Sequence, residues 1–397
     1  MTRNRPGEQV TVGGLSAVGG ALAVLLVVGG CTSGTDTSTA PEPERSQATL
    51  PVDGSTSLDI GVPRAVHRAT GLADGRVLLT GGCSAPGCEE FEDAADSVLV
   101  SADGTVSPAS SMQHSRAGHT ATLLADGRVL VAGGYPGEGQ PPTATVEVYD
   151  PAADAFTDAG SLASARADHT ATLLPDGRVL LTGGRGADGQ SLSSVEIVDP
   201  STGEATSGPT LPAPRTGHTA TTAGGCVLLV GGTSETDTAT RTTSRWCPGR
   251  AAWSAGPELA RARVKHAATV LPGGGVWVVG GAPTTESRHR FRDTEILQPG
   301  ARRFVPGPDL PSGRYKITDA IATLADGRVV VAGGRRLVVF DPASQRLRPV
   351  RGAGGDLGST RSFQTVTPVA GGRVLVAGGY DAAIAPTDMA WLVQVAR

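Results

Sequence analysis

Aromatic side chains are scarce, at 4% of 397 residues, so any core must rest on Val, Leu and Ala. Lysine is scarcer still: Lys265 and Lys316 are the only two among 34 basic residues, and the preference for arginine reads as the habit of a G+C-rich genome. Few stretches carry a 3.6-residue apolar period, and 56 glycines with 28 prolines leave little room for long helices. A net charge of −4 with no basic, aromatic-interleaved surface argues against nucleic acid as a partner. The G-x-S-x-G, H-E-x-x-H and Walker A patterns are missing. Gly184 to Gly189 does spell G-x-G-x-x-G, but between two expected strands rather than ahead of a helix, so it reads as a loop.

What the chain does have is a repeat. Gly-Gly pairs closing short apolar runs recur at Gly81, Gly133, Gly183, Gly231, Gly280, Gly333 and Gly378, in steps of 52, 50, 48, 49, 53 and 45 residues. The third copy shows what one unit builds. His169 to Leu174 and Arg178 to Thr182 flank Pro175-Asp176-Gly177, which suits a tight turn. A third run, Ser194 to Val198, ends at Asp199-Pro200, and a short outer strand follows near Ala205. Val179-Leu180-Leu181 is apolar without alternation, as expected of a strand covered on both faces. The expected fold is all-β: a seven-bladed β-propeller with four antiparallel strands per blade. The last unit lacks its outermost strand, and Thr56 to Ile60 has the pattern to supply it and remove an open edge.

These units resemble the kelch repeat over roughly residues 55 to 397. That resemblance admits binding scaffolds, sialate mutarotases and galactose-oxidase-like copper enzymes. The copper enzymes would imply Arg-x-Tyr-His, with Tyr and His as ligands. Here Val66, Gly118, Asp168, Gly217 and Lys265 stand before the histidines, so no metal and no cofactor are expected.

Three segments are expected. Residues 1–30 read as a signal peptide, with Arg3 and Arg5 ahead of an apolar stretch; the following Cys31 resembles a bacterial lipobox cysteine, which implies lipidation there. Residues 31–55 read as a flexible Ser/Thr/Pro linker, and 56–397 as the propeller. The expected location is the cell membrane, lipid-anchored on the extracytoplasmic side. Repeat alignment puts Cys226 and Cys247 in slots that other blades fill with Arg and Asp, such as Arg178 and Asp199, and that face each other across strands two and three. This predicts Cys226–Cys247 and leaves Cys83–Cys88, with the Arg–Asp slots forming ion pairs elsewhere.

The motif Arg-x-x-His places His67, His119, His169, His218 and His266 at equivalent positions. A residue required in most blades is expected to serve the blades themselves. More informative is where the rule lapses. Blade six carries a two-residue insertion within Arg314 to Asp319, loses its histidine, and shortens its second-to-third connection to Arg335-Arg336. Blade seven substitutes Phe363 and Gln364. A notch is expected there, flanked by Arg288 and Arg290, with Arg314, Tyr315, Lys316, Arg335, Arg336, Arg361 and Phe363 as candidate residues for an anionic ligand. The expected function is a monomeric binding scaffold for an anionic glycan or an exported protein, with membrane contact through the anchor only and no catalytic residues. The alternative is a sugar mutarotase using Asp319 with His266.

Overall fold

The computed structural model describes residues 55–89, 91, 94–234, 236–350 and 355–395. Cys31, the expected signal segment and residues 31–54 of the expected linker lie outside the described residues. Among the described residues, no helix is long and apolar enough to cross a membrane.

Seven antiparallel sheets of four strands each form the blades of a propeller. Blade three runs Thr170–Leu173, Val179–Thr182, Val195–Val198 and Ala205–Ser207. Its first turn closes through Leu174 N–H donating to Arg178 O, with Gly177 at φ 86°. The second strand is buried along its whole length in blades one to six. Covering each of its Val or Leu side chains contributes roughly 1.5–3 kcal/mol. Between blades five and six, Trp277 stacks on Phe340 with ring centroids 4.3 Å apart. Blade seven is completed from the other end of the chain: Ser55–Asp59 pairs antiparallel with Met389–Gln394, in register from Ser55 opposite Val393 to Asp59 opposite Met389.

The Gly-Gly pairs mark the seams. A Cβ on Gly133 would sit 2.3 Å from the Arg166 carbonyl oxygen and 2.9 Å from the His169 ring, both in the next blade, and φ there is 63°. Only glycine lets the blades approach this closely.

The Arg-x-x-His side chains serve the same seams. Arg166 donates to Gly183 O at 2.9 Å and to Glu196 Oε1 at 2.7 Å, within its own blade. Arg116–Glu147 and Arg263–Glu295 repeat the pair. The histidines reach the other way. Nε2 of His169 lies 3.0 Å from Thr120 Oγ1 in the preceding blade, and His67 joins Thr365 at 3.0 Å across the closure. All five are buried, and burial holds their imidazoles well below the ordinary histidine range.

Both predicted disulfides are present, Cys83–Cys88 and Cys226–Cys247. The predicted Arg–Asp ion pairs are corrected. Arg76, Arg128, Arg178 and Arg328 bridge to the aspartate of their own turn, Asp74, Asp126, Asp176 and Asp326. The third-strand aspartates Asp150 and Asp199 instead accept the backbone N–H two residues on. Such local bonds form because Asp reaches its own downstream backbone with little loss of chain entropy.

Candidate functional site

Every blade leads into its first strand through one residue in the left-handed region. These are Val66, Gly118, Asp168, Gly217, Lys265, Lys316 and Phe363, with φ between 50° and 66°. Backbone bonds join successive members: Gly118 N–H to Val66 O (3.1 Å), Asp168 N–H to Gly118 O (2.9 Å), Lys265 N–H to Gly217 O (2.8 Å) and Phe363 N–H to Lys316 O (2.7 Å). The seven residues thus form a collar about the propeller axis. For a branched residue such as Val66 the left-handed region is strained, and strain of this kind clusters at ligand-handling positions.

The collar opens into a basin of about 1280 Å³. Five of the chain's fourteen aromatic side chains line it: Phe91, Tyr135, Tyr315, Phe363 and Tyr380. Both lysines line it as well. The wall is built by the second-to-third strand loops of blades one, two, three, five and seven, including Arg185, Arg288 and Arg290. The loops of blades four and six contribute no lining residue.

Charge is distributed unevenly around the collar. Lys265 Nζ lies 5.6 Å and Lys316 Nζ 5.2 Å from the centroid of the same Phe363 ring, and Lys316 Nζ is also 5.6 Å from Tyr315. Each is within cation–π range. Neither lysine has a carboxylate within ion-pair distance among the described residues. Burial, and then the neighbouring Lys265, pulls the Lys316 ammonium below the ordinary lysine range. Two blades from Lys265, the Asp168 carboxylate leans over Gly118, where a Cβ would come 3.0 Å from its Oδ1.

On the cysteine side, the Tyr380 hydroxyl donates to Cys88 Sγ at 2.9 Å, and burial raises its pKa to about 12. Tyr315 donates to the Thr285 carbonyl oxygen. Below the collar the axial space narrows to about 50 Å³, where Arg68 and Asp319 form an ion pair at 2.6 Å.

The structure divides the predicted site. Tyr315, Lys316 and Phe363 line the basin. Arg314 does not, being 1% exposed and donating to the carbonyls of Val331, Ala332 and Arg336, as the blade arginine of blade six. Arg361 fills the same slot in blade seven, with its guanidinium 5.6 Å from the Trp391 ring. Arg335 and Arg336 lie on the exposed edge and both bridge to Asp356. The two-residue insertion is real but turns inward: Ile317 takes the histidine slot against Gly280, and Thr318 and Asp319 enter the axial space. Asp319 and His266 do not pair, since His266 Nε2 is 3.0 Å from Thr219 Oγ1. Lys265, Asp168, Tyr135 and Tyr380 line the basin without having been expected there from the sequence. The lysine count carried the signal, because both lysines occupy one repeat slot in consecutive units.

Residues 118–334 match the family model described as the KLHDC2/KLHL20/DRC7 Kelch-repeats domain. The chain belongs to this kelch-repeat family. Among solved structures it is similar to a novel fungal alcohol oxidase with catalytic diversity among the AA5 family, in complex with copper: TM-score 0.67 and 15% identity over 85% of this chain and 75% of that one. It is also similar to YjhT, with TM-score 0.59 and 13% identity over 73% of this chain and 98% of that one. A comparison with curated proteins gave no match. At these identities the likeness is one of fold. The donors a copper ion would need do not converge here: the ring histidines face threonines inside the blades, and the described residues hold no group of three His, Cys, Asp or Glu suited to a metal.

Proposed function

We propose that this propeller is a binding scaffold whose axial basin holds a carboxylate-bearing glycan. One observation carries the reading. The chain's only two lysines stand side by side in the collar, unpaired with any carboxylate among the described residues and facing one phenylalanine ring. Two partly desolvated ammonium groups favour a carboxylate strongly, because less hydration is lost than at a fully exposed pair. Tyr135, Tyr315 and Tyr380 offer ring faces and hydroxyl edges to a sugar. A basin of about 1280 Å³ exceeds the usual single-ligand pocket and suits several linked sugar units.

Two disulfides support an extracytoplasmic setting. We therefore keep the reading of residues 1–30 as a signal peptide and of Cys31 as the lipid attachment point, with the basin presented to the cell envelope. Titration calorimetry of the full-length protein with acidic and neutral oligosaccharides tests the ligand class. Salt-sensitive binding of the acidic set is expected, with loss in Lys265→Ala and Lys316→Ala. Equal binding of both sets, or none, would overturn the reading.

A further inference from the structure

Lys316 differs from its neighbour in its surroundings. Its amine lies against Tyr315 and Phe363, and the Lys265 ammonium, which lies against the same Phe363 ring, is close enough to act on its charge. The charged groups facing it from further off are Glu286 and Arg290 of the blade-five loop and Asp168 of blade three. None of these acids lies within ion-pair distance of it. An amine among rings and beside a second cation is the arrangement that keeps lysine neutral often enough to act as a nucleophile. A neighbouring lysine that holds a carboxylate then sets where a carbonyl beside that carboxylate will lie.

We propose that Lys316 is a nucleophilic amine that captures the carbonyl of a 2-oxo acid as a reversible imine, with the acid's carboxylate held by Lys265. The proposal rests on the carboxylate-binding reading for its Lys265 contact and adds a covalent step. The Nζ lone pair forms a bond to the carbonyl carbon, and the carbonyl π pair moves to oxygen, which takes up a proton. The carbinolamine then expels that oxygen as water while nitrogen gives up its two protons, leaving a C=N bond. Amine and ketone become imine and water, and no oxidant or reductant is involved. Tyr315 and Phe363 limit water on two sides of the new bond, which opposes its hydrolysis.

The small lysine count makes the test clean. Full-length protein is treated with pyruvate and cyanoborohydride, which reduces the imine to a stable carboxyethyl amine, and modified peptides are quantified by mass spectrometry. Lys316, whose amine burial and the neighbouring cation hold below the ordinary lysine range, is expected to be labelled faster than Lys265 near neutral pH. Its rate should level off below the pH at which a free lysine levels off. Lys265→Ala, which removes the cation that holds the acid's carboxylate, should slow the labelling of Lys316 by pyruvate, and lactate, which has a hydroxyl in place of the carbonyl, should protect Lys316 in the unmodified protein. Equal labelling of the two lysines, or labelling no faster than that of free lysine, overturns the proposal. If acidic oligosaccharides still bind while no adduct is trapped, only the covalent step falls. An adduct without glycan binding leaves Lys316 reactive and removes the glycan reading.

Discussion

Asp319, carried on the two-residue insertion of blade six, meets Arg68 of blade one at 2.6 Å within the axial space. Blade seven lies between these two blades in the ring, so the pair spans the axis rather than a seam and forms a floor beneath the collar.

Asp319→Ala should remove that floor without unfolding the propeller. Asp319 is 40% exposed, so the loss of stability should be about 1 kcal/mol or less. Arg68 would be left unpaired below the collar, and affinity for a carboxylated ligand should rise, most at low salt. Calorimetry at two ionic strengths checks this; unchanged affinity would mean that ligand does not approach the floor.

The histidine seams predict acid sensitivity. His67 and His218 are pulled from 6.5 to about 3 by burial and by Arg64 and Arg215 respectively, so the folded state keeps them neutral where the unfolded chain charges them. Their stability contribution is full above pH 6.5 and is lost as pH falls from there toward 3, at about 1.4 kcal/mol per pH unit for each histidine. Blade seven already uses Gln364 in this slot. His218→Gln should therefore flatten the pH dependence by one proton in urea titrations at pH 7 and 5. An unchanged slope would show that His218 charges equally in both states.

Glu196 accepts hydrogen bonds from Arg166 and from the backbone N–H groups of Ala163 and Ser164. Glu196→Leu would leave the buried Arg166 guanidinium without its carboxylate, and the expected cost is about 3–5 kcal/mol by chemical unfolding. A cost below about 1 kcal/mol would mean that the guanidinium finds solvent.

The two disulfides should separate in their effects. Replacing Cys226 and Cys247 with alanine opens a closure of 21 residues and should cost about 3 kcal/mol. Replacing Cys83 and Cys88, five positions apart, should cost less but alter ligand affinity, because their sulfurs hold the Tyr380 hydroxyl at the basin wall. Calorimetry beside urea unfolding distinguishes the two effects.

Cys31→Ser should either release soluble protein or leave uncleaved precursor that keeps residues 1–30, read by mass and fractionation. Unchanged mass with unchanged partitioning would remove the lipobox reading.

Much of the blade was legible because local forces make it. Turn chemistry at Pro175-Asp176-Gly177, the apolar run Val179-Leu180-Leu181 and the seven Gly-Gly seams each act over a few residues and recur. The pairing of Cys226 with Cys247 was legible for the same reason, since repeat alignment transfers strand register. The Arg–Glu pairs were within reach too: Glu147, Glu196 and Glu295 stand 31, 30 and 32 residues after their arginines.

The site was legible only in part, because the ring superposes residues that lie about 50 positions apart in sequence. Residue type and repeat slot are properties of the chain, and they determined the blades, their number and the closing strand. Which arginine meets solvent and which stays inside a blade is decided by packing, so Arg314 served the fold while Lys316, two residues on, faced the basin. The nearness of Lys265 to Phe363 and of Asp319 to Arg68 exists only once seven blades close about one axis, because contacts across a ring depend on its curvature rather than on any local preference.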